Sequence, residues 1–138
     1  RGDWDDDTLR HPEGSPTEAY VPVLGAWAEL ERGGGAEAVA TKADELAAHA
    51  ERRELAQLLR AYAFSRVGRG AEAQAQAKRA LDVLARRSRT DVLVLAWCAL
   101  AHRVNGEIAA SLGDARTAED HYREAARIAP RCWFGRRP

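Results

Sequence analysis

Lysine, cysteine and long apolar runs are scarce in this sequence, and each scarcity removes a class of protein. No apolar stretch approaches the roughly eighteen residues that a membrane-spanning helix needs. The amino terminus is acidic where a secretory signal is basic and then apolar. A soluble domain with no membrane partner is therefore expected. Cys98 and Cys132 are the only cysteines, without the close pairing of a metal site or a disulfide framework, so a reducing cytoplasm is the expected compartment. The histidines, His11, His49, His102 and His121, include no pair at the four-residue spacing of a helical zinc site, so neither a metal nor catalysis by histidine is expected. His121 follows Asp120, but consecutive residues on a helix point apart, and both read as solvated surface. Gly33-Gly34-Gly35 precedes a helix as phosphate-cradling loops do, yet lacks a Gly-Lys-Ser/Thr ending and a preceding strand. Arg1-Gly2-Asp3 resembles a cell-adhesion tripeptide of a kind that chance produces often. No cofactor and no enzymatic activity are expected.

What fills the chain instead is alanine, 29 residues, and arginine, 19 against two lysines. The bias favours helix and close helix packing, and it is what a GC-rich bacterial source would give. The 138 residues suit one domain. The chain opens on Arg1 rather than methionine and closes on Arg136-Arg137-Pro138, as expected of a piece of something longer. Its zero net charge conceals a segregation: residues 1–50 carry −7, residues 51–90 carry +6 and residues 91–138 carry +1. The basic middle makes an acidic partner conceivable, whereas direct nucleic-acid binding is not the expected role.

Residues 1–14, with Asp3, Asp5, Asp6 and Asp7 and little apolar content, read as an acidic disordered arm. Ser15-Pro16-Thr17-Glu18 then reads as a capping box that opens a helix running to about Arg32, which the triple glycine ends. Further helices are expected at about 36–49, 53–67, 71–86, 91–112 and 114–129, the last with Asp114 as N-cap and Pro130 as stop. Val92-Leu93-Val94-Leu95 could open a strand but continues into a helical pattern. The six helices would make three hairpins over residues 15–130, followed by a tail at 131–138 whose Cys132-Trp133-Phe134 either caps the last hairpin or begins another element.

Gly35-Ala36-Glu37-Ala38 aligns with Gly70-Ala71-Glu72-Ala73 at a shift of 35 residues, each marking a turn into an alanine-rich helix. The third unit opens its second helix at Asp114, 44 residues after Gly70. Residues 106–130, GEIAASLGDARTAEDHYREAARIAP, resemble a tetratricopeptide repeat. Gly106 stands at the family's small position and Gly113-Asp114 at its turn, with Ala118, Tyr122, Ala125 and Pro130 at its small, aromatic, small and helix-ending positions. Ala61, Gly68, Ala73 and Ala80 match less completely, and the first unit keeps Ala38 but has Lys42 where an aromatic or apolar group is usual. Gly106 inside a helix costs about 1 kcal/mol relative to alanine and calls for a close neighbouring helix. A plain helical bundle is the alternative.

The resemblance implies an all-α fold, three hairpins stacked as a short right-handed solenoid. It also implies a concave groove lined by the first helix of each repeat, with Tyr20, Trp27, Tyr62, Arg66, Arg103 and Glu107 as partner-binding residues. Tyr20 and Trp27 share a helix face and would serve as anchors, or else pack in the core. Val23 and Trp27 stand where the chaperone-binding members of the family carry their lysine and asparagine clamp. The implied role is a protein-interaction module, part of a larger bacterial regulatory or scaffold protein. The alternative is a domain of a transcription regulator that senses a ligand or signalling peptide.

Overall fold

The computed structural model describes residues 16–88 and 92–131, and all the regular structure among them is helical. α1 spans Pro16–Glu31, α2 Ala36–Leu46, α3 Arg53–Ser65, α4 Gly70–Arg87, α5 Val92–Ser111 and α6 Ala115–Ile128, with a 3₁₀ turn at Ala50–Arg52 before α3. The expected arm over 1–14, the capping serine Ser15 and the Cys132-Trp133-Phe134 tail lie outside the described residues. No helix among the described residues is long and apolar enough to cross a membrane.

Three turns repeat one device. Gly33, Gly68 and Gly113 adopt φ of 93°, 81° and 85°, the left-handed region open to glycine without steric cost. The next residue in each case donates its N–H to the carbonyl five positions back: Gly34 to Glu29 at 2.9 Å, Arg69 to Phe64 at 3.1 Å and Asp114 to Ala109 at 2.9 Å. This is how a helix end satisfies carbonyls that have lost their partners. The Asp114 side chain then accepts from the Thr117 N–H at 3.1 Å and caps α6.

The second helix is shorter than its alanine content suggests. It ends at Leu46, because the arginines of the following turn compete for its last carbonyls: Arg52 Nε donates to Leu46 at 3.0 Å and Arg53 Nε to Ala47 at 3.3 Å. Val92-Leu93-Val94-Leu95 is helix.

Each helix packs against the next, and α1 also meets α3 while α3 meets α5. The core is aliphatic and alanine-rich, with Val23, Leu30, Leu55, Leu58, Leu59, Leu100, Val104 and Ile108 almost wholly enclosed. The small residues set how closely the helices approach. At Gly106 a Cβ would stand 2.6 Å from Cε1 of Tyr122 and 3.2 Å from the carbonyl oxygen of Ala118, so the missing side chain is what lets the Tyr122 ring lie against α5. Asn105, the buried polar residue of the core, donates from Nδ2 to Ala77 of α4 at 3.1 Å and to Ala101 at 2.8 Å. The buried amide thus has partners for its hydrogens.

Candidate functional site

Five of the six residues singled out from the sequence converge where α1, α3 and α5 meet. Trp27 of α1 stacks on Tyr62 of α3, with ring centroids 5.6 Å apart and planes at 26°. Tyr62 on α3 and Arg66, which caps the C-terminal end of α3, lie one turn apart and share a face. Arg66 donates from Nη2 to the Tyr62 hydroxyl at 2.7 Å, and from Nη1 to the Leu30 carbonyl of α1 at 3.3 Å; its Nη2 lies 3.5 Å from Glu31 Oε1. On α5, Arg103 and Glu107 are likewise a turn apart, with Nε to Oε2 at 3.8 Å. Tyr20 is not brought to this place. It packs edge-on against Trp97 of α5, centroids 5.1 Å apart, two turns earlier on α1.

Trp27, Glu31, Tyr62, Leu100, Arg103, Val104 and Glu107 enclose a crevice too narrow to admit water. Trp27, Glu31 and Leu100 also belong to a wider cleft of about 450 Å³ completed by Leu24, Ala28 and Arg32. The cleft is apolar along Leu24, Ala28, Trp27 and Leu100 and charged at one end. Its lip includes Leu24, 40 % exposed on the outer side of α1, where Val21 is also exposed. Trp27 forms the floor and stacks on Tyr62, which lines the adjoining crevice; both are buried, at 4 % and 8 % exposure. They therefore hold the fold as well as shaping the cleft.

Burial governs the electrostatics of the floor. It pushes the Tyr62 phenol above its ordinary range, helped by the carboxylates of Glu107 and Glu31 and opposed by the Arg66 hydrogen bond and charge. It also raises the Glu107 carboxyl, against the attraction of Arg103 and with the added repulsion of Glu31. Neither group is placed as a nucleophile or as a base facing a substrate.

Sequence reasoning missed Leu24, Ala28, Arg32 and Leu100 as cleft residues. The available signal was helical spacing: Leu24 precedes Trp27 by three residues and Glu31 follows it by four. It also missed a contact between histidines. His121 was expected on the solvated surface, but its Nδ1 lies 3.0 Å from Nδ1 of His102 and both rings are half-buried. A second cleft of about 340 Å³, lined by Glu37, Asp44, Arg60, Phe64 and Arg69 among others, is closed chemically. Arg60 is held by Asp44 at 3.6 Å and Gln76 at 3.1 Å, Arg69 by Glu72 at 2.8 Å, and both guanidiniums lie on the Phe64 ring. The triple glycine is a helix-to-helix turn. No three His, Cys, Asp or Glu side chains gather to hold a metal among the described residues.

Comparison with known proteins finds no matching family model, no matching curated protein and no matching solved structure.

Proposed function

We propose that the chain is a tetratricopeptide-like interaction domain, its helices paired as three hairpins stacked in a short solenoid, with the cleft between α1 and α5 receiving a segment of another protein. Supporting the architecture are the three positive-φ glycines at equivalent turns and the contacts of α1 with α3 and of α3 with α5, as expected when the first helices of successive hairpins line one face. The observation that carries the functional reading is the cleft itself. An aromatic floor of Trp27 on Tyr62 lies beneath an exposed leucine lip, with arginine and glutamate at one end. Such a surface suits an amphipathic segment whose apolar side enters the cleft while its polar groups meet Arg32 and Glu31. In this reading the domain acts without chemistry of its own, as the binding part of a cytoplasmic regulatory or scaffold protein of bacterial type. Tyr20, in contact with Trp97, supports α1 from behind.

The acidic-partner idea has less to draw on than the +6 segment suggests, because Arg60, Arg66, Arg69 and Arg87 already face Asp44, Glu31, Glu72 and Glu54. The ligand-sensing alternative draws on the cleft volume, about 450 Å³, which lies within the range of roughly 300–1,000 Å³ typical of small-molecule pockets.

Selecting peptides from a displayed random library against the domain tests the proposal. Selected peptides are expected to lose at least about tenfold in affinity, or 1.4 kcal/mol, for Leu24→Asp, a change at an exposed position that leaves the floor intact. Arg79→Ala, on the exposed side of α4, is expected to bind as the parent does. Peptides that bind Leu24→Asp as tightly as the parent would defeat the cleft assignment.

A further inference from the structure

The α5–α6 contact contains two titratable rings that the cleft does not use. His102 on α5 and His121 on α6 bring their Nδ1 atoms to 3.0 Å, with centroids 5.3 Å apart and planes at 42°. That centroid separation is about the nitrogen contact plus one ring radius on each side, so the rings meet vertex to vertex. This is the geometry of an N–H···N hydrogen bond; two lone pairs converging on a common ion would be arranged differently. One Nδ1 must carry the hydrogen and the other accept it. The contact survives one additional proton, taken at an outer nitrogen, because the charged ring can still donate to the neutral one. It cannot survive two, since both Nδ1 atoms would then carry hydrogen and both rings a positive charge.

We propose that the His102–His121 contact is an acid-sensitive latch, which holds α6 against α5 near neutral pH and releases it when both rings are protonated.

The surroundings favour the uncharged pair. Burial, then the charge of His121, pull His102 down to about 4, with Arg127 adding to the effect and Glu124 opposing it. Burial, then Lys78 of α4, lower His121, with Asp120 opposing. Glu124 is itself engaged by Arg127 at 2.9 Å. The buried thiol of Cys98, one turn before His102 on α5, is raised first by burial, and the Tyr122 phenol next to His121 lies against α5 at Gly106. An undocked imidazole takes its proton near pH 6.5. As pH falls from about 6.5 toward 4, the released state therefore binds protons that the docked pair refuses, and stability of the contact is lost in that window. At pH 5, His102 held neutral in the docked pair shifts the balance toward release by on the order of tenfold. α5, the helix that loses its neighbour, is the one that brings Leu100 to the cleft and Arg103 and Glu107 to the adjoining crevice.

Hydrogen exchange at pH 7 and pH 5, corrected for intrinsic chemistry, tests the latch on the full chain. Protection of α6 amides relative to α3 amides is expected to fall at least about tenfold in the parent, and to fall less in His121→Gln, which keeps one titrating ring in place of two. An equal fall in parent and variant, or no fall in the parent, overturns the proposal. Should the glutamine variant fail to fold, NMR titration of the parent's imidazoles decides: His102 is expected to titrate at about 4 and His121 below its ordinary value, and ordinary titration of both rings would refute the latch.

Discussion

Gly25 on α1 and Gly106 on α5 both interrupt helices, and the molecule treats them oppositely. A Cβ at Gly25 would meet nothing within 4 Å, whereas one at Gly106 would enter the Tyr122 ring. The difference extends to the helix pairs that contain them. Tyr122 lies nine residues after the positive-φ glycine of its turn, and the corresponding residues are Ala77 after Gly68 and Lys42 after Gly33. In the last pair, ring and glycine interlock. In the first, Lys42 leaves a cleft of about 370 Å³ between α1 and α2, bordered by Pro22, Gly25, Ala26 and Val39. α1 is held from the other side by aromatic contacts, Trp27 on Tyr62 and Tyr20 on Trp97. One pair is joined by close approach, and the other depends on what its first helix reaches across to.

The comparison breaks most readily at Trp27. Trp27→Ala removes the stack on Tyr62 and is expected to cost about 3–5 kcal/mol, seen as a lowered midpoint in chemical denaturation. A loss below about 1 kcal/mol would mean that α1 does not share the cooperative unit. Gly106→Leu comes next, at roughly 1–3 kcal/mol of destabilisation from overpacking against Tyr122 and Ala118, with part of the loss recovered in a Gly106→Leu, Tyr122→Ala double variant. If the single variant melts at or above the parent temperature, the interlock carries no energy. Gly25→Ala is the smallest change and has the opposite sign: a gain of about 0.5–1 kcal/mol from helix propensity at an open position. A loss there would show that α1 and α2 close more tightly than the cleft between them implies.

The helices were legible in the sequence because glycine, proline and alanine mark their own positions. The stops at Gly33, Gly68 and Gly113 follow from backbone sterics within a few residues, and Asp114 caps by a bond to a residue three away. The early end of α2 was not legible, since it depends on arginine side chains six residues ahead folding back onto carbonyls. The cleft was half legible. Resemblance pointed to Trp27, Tyr62, Arg66, Arg103 and Glu107, and those side chains do meet. Trp27 and Tyr62 are buried, which agrees with the core packing left open for Trp27 beside the anchor role, so the exposed Leu24 gives the cleaner test of the proposed binding. The histidine pair was invisible for a simpler reason. Residues 19 apart on different helices become neighbours only through the register of α5 on α6, and local spacing carries no information about that register.

The segregation of charge along the chain ends in two contacts. Glu31 and Asp44, from the acidic front, face Arg66 and Arg60 of α3, at 3.5 and 3.6 Å. Exposed pairs of this kind add little to stability; what they supply is complementarity between two stretches of one polymer. The stretches on either side of His49 carry net charges of opposite sign, so they attract one another over distances that short-range packing cannot reach, and less so as salt rises. The boundary where the sequence changes sign therefore lies between α2 and α3, and the packing of those helices brings the two signs together.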